Sequence, residues 1–151
     1  MATKRTETSK LKSKLKKTTK ITKNEHFYVY GIYQDGVCLY IGQTCDFDRR
    51  KEEHIKDLMY GRHENKSLQK YYTKKPQIEI RKLIEIPTSN TLLIFFVEGL
   101  MNSILKPKAN KIVMMQGRMR IVLQRCDEEL AKQIVKVIVD YYGGETYDWY
   151  L

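Results

Sequence analysis

The sequence predicts an α+β domain: a small three-stranded antiparallel sheet flanked by helices, with a C-terminal helical extension. Three observations carry that prediction. Two adjacent runs of aromatic and β-branched residues, HFYVYGIY (26–33) and VCLYIGQT (37–44), are split by QDG. A third alternating run, QIEIRKLIEI (77–86), follows two helical stretches. An apolar helical stretch, LLIFFVEGLMNSIL (92–105), lies directly behind it.

The first two runs favour strands because β-branched and aromatic side chains fit a pleated, half-buried surface. With Gln34-Asp35-Gly36 as a three-residue loop closed by a left-handed glycine, they form a hairpin. In that register Tyr30 faces Tyr40 across the strand pair, on the same side of the sheet. Tyr33 is an odd number of residues away and falls at the hairpin tip on the opposite side. Asp46 is placed to cap a helix through FDRRKEEHIKDLMY, whose Phe47, Ile55 and Leu58 form an apolar stripe and which Gly61 ends. NKSLQKYYTKK (65–75) is a short second helix stopped near Pro76. After the third strand, Pro87-Thr88-Ser89 form a turn with a capping residue before the apolar third helix, which Pro107 terminates. A short hairpin around Gly117 is expected within 111–125, and DEELAKQIVKVIVDYY (127–142) reads as an amphipathic helix ended by Gly143-Gly144.

Charge divides the chain further. The net charge is +10, and residues 1–25 hold nine Lys/Arg, Lys16 and Lys17 among them, against Glu7 and Glu25, so this arm alone carries +7. A Lys/Thr/Ser-rich segment with little to bury does not fold alone, and basic arms bind nucleic acid through counterion release. The expected organisation is therefore a basic arm over 1–25, a folded domain over 26–111, and an extension over 112–151 that packs on the domain or at a dimer interface. No apolar run reaches the ~20 residues of a membrane span, and the N-terminus shows no apolar leader segment. Cys38, Cys45 and Cys126 are odd in number and widely spaced, which points to reduced thiols in an intracellular compartment.

The triplets GIY (31–33) and YIG (40–42), the helix with DRRKEEH, the isolated glutamate in an apolar helix and the PKAN that follows resemble the GIY-YIG nuclease domain over residues 27–111. The resemblance implies a divalent-metal-dependent DNA endonuclease using Mg²⁺ or Mn²⁺ and no organic cofactor. One tyrosine from each triplet, an arginine on the first helix, a glutamate on the third and an asparagine after it would share one surface. The chemistry fits those residue types: a carboxylate holds a hard cation, and arginine neutralises phosphate without losing its proton. Glu98 is the candidate metal ligand, because it is the only acid in TLLIFFVEGLMNSIL and its helical neighbours Ile94, Phe95, Met101 and Ile104 are apolar. Asn110, twelve residues on, would orient the glutamate or the phosphate.

The family's R-x-x-x-H pattern fits Arg50 and His54, which share a helix face at i and i+4. Arg50 is assigned to the scissile phosphate, His54 to proton relay or phosphate contact, and Arg49 to an outer contact. His63 resembles a position used by phage homing endonucleases and joins Lys66 and Lys70 as a DNA contact. For the first tyrosine, nine residues separate Tyr30 from Tyr40 and only six separate Tyr33 from it. The longer interval is nearer the family's, so YVY (28–30) is taken as the equivalent of GIY, with Tyr33 as the alternative. Gly42 is expected to let the second strand's end turn toward the helix. The small size suggests a stand-alone enzyme of phage, mobile-element or restriction type, with a homodimer left open. A catalytically inactive DNA- or RNA-binding protein on the same fold is the competing expectation.

Overall fold

The computed structural model describes residues 26–73, 78–88, 90–110 and 128–142. Among them the order is β1 (Phe27–Gln34), β2 (Val37–Thr44), α1 (Phe47–Met59), α2 (Lys66–Tyr71), β3 (Ile78–Ile86), α3 (Thr91–Leu105) and α4 (Glu128–Tyr142). This is the predicted α+β architecture: one antiparallel sheet in the order β2-β1-β3, with β1 central. The expected basic arm, with Lys16 and Lys17, and the expected hairpin around Gly117 lie outside the described residues.

Local signals explain most boundaries. Asp46 caps α1 by accepting from Arg49 N, Asn65 caps α2 by accepting from Leu68 N, and Asn90 caps α3 by accepting from Leu93 N. The capping residue of α3 is thus Asn90, just beyond the turn that the sequence singles out. Thr88 Oγ1 steadies that turn by accepting from Asn90 N. Lys106, in a left-handed conformation at φ 48, closes α3 before Pro107.

The hairpin differs from the expected one. Its loop is two residues, Asp35-Gly36, both with positive φ (52 and 75), the backbone that a tight primed turn requires. Gln34 pairs with Val37 and Tyr33 with Cys38, but Ile32 then pairs with Tyr40, so Leu39 is an extra residue bulged out of β2. Tyr30 consequently pairs with Gly42, not with Tyr40. The bulge decides which residues share a face. A two-residue loop with unbroken pairing would set Tyr30 opposite Ile41 and send Tyr40 to the other side. The extra Leu39 shifts the pairing by one, and Tyr30 and Tyr40 become diagonal neighbours on one face with ring centroids 6.3 Å apart.

Each sheet face has its own core. On one, Tyr30, Ile32, Leu39 and Ile80 pack with Leu58 of α1 and Leu68 of α2. On the other, Val29, Tyr33, Ile41, Ile84 and Ile86 meet Leu93, Phe96, Val97, Leu100 and Met101 of α3 and Ala131, Ile134, Val135 and Ile138 of α4. The sheet is therefore the middle of three layers. Among the described residues no helix is long and apolar enough to cross a membrane.

Candidate active site

The α1–α2 face of the sheet carries a buried polar chain. His54, fully buried on α1, places Nε2 2.6 Å from Tyr30 Oη and Nδ1 2.7 Å from His63 Nε2. The imidazoles of His54 and His63 stack with 5.0 Å between centroids, and Tyr40 and Tyr30 each lie 5.5 Å from the His54 ring.

Proton positions in this chain follow from its far end. The main-chain N–H of Asn65 donates to His63 Nδ1 at 3.0 Å. A neutral His63 must then carry its proton on Nε2 and donate it to His54 Nδ1, so neutral His54 carries its proton on Nε2 and donates to the Tyr30 oxygen. Both rings are held neutral. Burial first, then the Arg50 guanidinium and His63, push the His54 pKa down to about 3. Burial also lowers that of His63. The Tyr30 oxygen therefore receives a hydrogen bond from inside the protein and keeps its own proton free to point outward.

Gly42 makes room for this arrangement. A Cβ there would lie 2.5 Å from Tyr30 Oη and 2.8 Å from Tyr40 Cε1. Its role is to let the Tyr30 ring lie across the partner strand, not to turn the strand's end as the sequence suggested.

The remaining expected residues divide. Arg50 projects toward the chain: burial raises the Tyr30 pKa, Tyr40 and Glu98 raise it further, and Arg50 acts against them. Its guanidinium is tied to Glu53 at 3.0 Å and lies 3.7 Å from Glu64. Arg49 is more exposed and pairs with Glu53 and Asp46. Glu98 is close enough to Tyr30 and Tyr40 to raise both pKa values. It is half-buried, makes no hydrogen bond or ion pair among the described residues, and burial pushes its own pKa up to about 7. Phe95, counted among the apolar neighbours that flank Glu98, is 54% exposed, so that side of the carboxylate is open.

Two expectations, those for His63 and Asn110, are corrected by the geometry, and the expected placement of Tyr33 on the face opposite Tyr30 is met. Tyr33 lies on the α3–α4 face, 8% exposed, under Arg81 at 4.2 Å, with burial pushing its pKa up to about 12. It is separated from Tyr40 and His54 by the sheet itself. His63, expected as a DNA contact, is 3% exposed with both ring nitrogens engaged behind His54. Asn110 neither holds Glu98 nor presents its amide outward. Its Oδ1 accepts from Ile41 N at 3.1 Å and its Nδ2 donates to Ile41 O at 2.9 Å, completing the free edge of β2. Lys108 N and Ala109 N continue that edge by donating to Cys38 O and Leu39 O.

Between residues 63–67 and this edge segment opens a cleft of about 760 Å³, with Tyr40 and His63 at the chain and Glu64, Lys66, Ser67 and Lys108 around it. Lys66 lines it and Lys70 does not. Sequence reasoning missed Glu64, Asn65 and Lys108. Glu64 and Lys108 carry no local pattern, Asn65 carries only that of a helix cap, and Lys108 comes near the 63–67 segment only through the pairing of residues 108–110 with β2. The Glu53 clamp on both arginines was legible from its i+3 and i+4 spacing.

Fold and side chains together define an α+β protein whose buried Tyr–His–His chain opens beside an arginine, a carboxylate with no partner among the described residues and a polar cleft. No protein-family model, curated protein or solved structure matches the chain.

Proposed function

We propose that this chain is a divalent-metal-dependent DNA endonuclease that hydrolyses phosphodiester bonds through Tyr30, Tyr40, Arg50, His54 and Glu98. The observation that carries the reading is the donation of His54 Nε2–H to the Tyr30 oxygen, with Arg50 beside it. A phenol becomes a base only if its phenolate is stabilised. Here burial works against ionisation, so Tyr30 is protonated at rest. An N–H donor on one side and a guanidinium on the other are the groups that would hold the phenolate once Tyr30 has released its proton to solvent, and the phenolate would then take a proton from the attacking water. Arg50 would exchange its carboxylate partners for the phosphate and take up the charge developing on it. Tyr40 would position the water or the phosphate.

Glu98 fits a hard cation. It is a half-buried carboxylate with no hydrogen bond or ion pair among the described residues, beside the tyrosines. One carboxylate suits Mg²⁺ or Mn²⁺ that completes its coordination with water and substrate phosphate, and among the described residues no group of three His, Cys, Asp or Glu side chains could hold a metal by itself. Metal affinity should therefore be weak until DNA is bound. When bound, the cation would neutralise phosphate charge and help the leaving oxygen. The basic arm would hold the DNA backbone without reading sequence.

The test is cleavage of supercoiled plasmid with Mg²⁺. Wild type should cut, EDTA should stop it, and Glu98→Ala should be inactive while still binding DNA. The alternative, a DNA- or RNA-binding protein without catalysis, is favoured by the high resting pKa of Tyr30 and the single carboxylate. Binding without any cleavage in Mg²⁺ or Mn²⁺ would establish it. Sedimentation of the active enzyme reads whether it works as a homodimer.

A further inference from the structure

The cleft beside Tyr40 has a chemical layout that the proposed reaction does not use. Tyr40 lines it, and its walls are two short segments, 63–67 and 108–110, tied together by the Asn65 Nδ2–H donating to Ala109 O at 3.4 Å. Three of the lining polar side chains are engaged internally. Asn65 Oδ1 caps α2, the Asn110 amide is spent on Ile41, and both His63 nitrogens are engaged. Lys66, Ser67 and Lys108 are not: their side chains make no ion pair or hydrogen bond among the described residues, and the lysines come from opposite walls. Arg50 lies close by: its Nη2 is 3.7 Å from Glu64, which lines the cleft. Lys66 and Lys108 are the cations of the lining, which also holds Tyr40 and Ala109, and Arg50 lies just beyond it, behind Glu64. A volume of about 760 Å³ is far more than one phosphate fills and is in the range of sites for nucleotide-sized ligands.

We propose that this cleft holds the nucleotide next to the scissile phosphate, with its sugar against Tyr40 and Ala109 and its second phosphate between Lys66 and Lys108. The proposal rests on the phosphodiesterase reading of the Tyr–His–Arg group and adds to it a subsite one nucleotide long. Cations facing each other across a cleft attract a backbone phosphate, and an aromatic wall excludes water from the sugar between the two anions. Substrates carrying a phosphate on both sides of that nucleotide should be cut better than those ending at the scissile bond.

The experiment is calorimetric titration of the full chain with thymidine 3′,5′-bisphosphate in EDTA, alongside inorganic phosphate and plasmid cleavage on the same preparations. The bisphosphate should bind about 10-fold tighter than phosphate, the combined Lys66→Gln/Lys108→Gln variant should lose that advantage, and Lys66→Arg/Lys108→Arg should keep it. Lys136→Gln, on α4 and paired with Asp140, should bind as wild type does. If the bisphosphate binds no better than phosphate, or its affinity ignores the lysine pair while falling in Arg50→Gln, the inference is wrong. The two readings separate cleanly. Cleavage by wild type with bisphosphate binding indifferent to the lysines removes the subsite and leaves the nuclease. Lysine-dependent bisphosphate binding by a chain that never cleaves keeps the subsite and removes the nuclease.

Discussion

The two faces of one sheet are built for opposite purposes. The α3–α4 face is apolar almost throughout: Leu93, Phe96, Val97, Leu100 and Met101 of α3 meet Ala131, Ile134, Val135 and Ile138 of α4, all at 2% exposure or less. The α1–α2 face instead buries Tyr30, His54 and His63 in one hydrogen-bonded chain, with the partly exposed Tyr40 ring against it. Apolar burial contributes about 1.5–3 kcal/mol per large aliphatic side chain. A buried polar chain contributes little net stability, yet it fixes proton positions that a hydrocarbon core cannot. The second face thus gives up stability for chemical definition. Glu98 shows the same trade at the sheet's edge: a carboxylate whose pKa is raised by burial alone is a destabilising group that its helix tolerates.

Substitutions on the two faces should therefore separate activity from stability. The largest effect is expected at the carboxylate. Glu98→Gln should lower plasmid cleavage by about 10³-fold or more and at the same time raise the melting temperature. The folded pKa of about 7 lies above the usual carboxylate value, so the penalty is complete above that pH and relieved as pH falls toward 4.5. The gain should be about 1–2 kcal/mol at pH 8 after allowing for solvent screening, and absent at pH 4.5. A melting temperature at pH 8 that falls with Glu98→Gln would break the idea that Glu98 is held for function.

Next come the tyrosines, which lie on opposite faces. Tyr30→Phe should reduce cleavage by about 10²–10⁴-fold, whereas Tyr33→Phe should leave it within about threefold. The reverse outcome would move the chemistry to the other side of the sheet. On the apolar face, Leu100→Ala should cost about 2–5 kcal/mol in chemical denaturation and leave the activity of the folded fraction unchanged. Gly42→Ala should do both jobs at once. Its methyl must displace the Tyr30 ring or the strand, costing about 1–3 kcal/mol and pulling Tyr30 away from His54.

The smallest effect expected is a pH slope. His54 is neutral in the folded state with its pKa down at about 3, while the unfolded chain takes up a proton near the ordinary value of 6.5. Its share of stability is complete above 6.5 and is lost as pH falls from there toward 3. Melting curves between pH 7 and 5 should accordingly flatten in His54→Gln. An unchanged slope would mean that His54 is not held neutral.

Much of this was legible in the chain. Alternation and β-branching marked all three strands, turn and capping residues marked the helix ends, and the i, i+4 spacing of Arg50 and His54 set both on one helix face. These are local properties, which the backbone's periodicities expose directly. The placement of Tyr30 and Tyr33 on opposite faces also agrees with the structure, but the register behind it does not. The hairpin has a two-residue turn, and only the Leu39 bulge returns Tyr30 and Tyr40 to a common face. A bulge is the compromise between two cores that must both be filled, Leu39 packing on one face and Cys38 on the other. No window of sequence contains that competition. Likewise, nothing local assigns His63 to the chain behind His54, the Asn110 amide to the edge of β2, or the Tyr30 ring to the space above Gly42. The sequence by itself determined which elements form and which side chains are available. The tertiary structure decided which of them meet, because a one-residue slip in strand pairing turns every side chain to the other face.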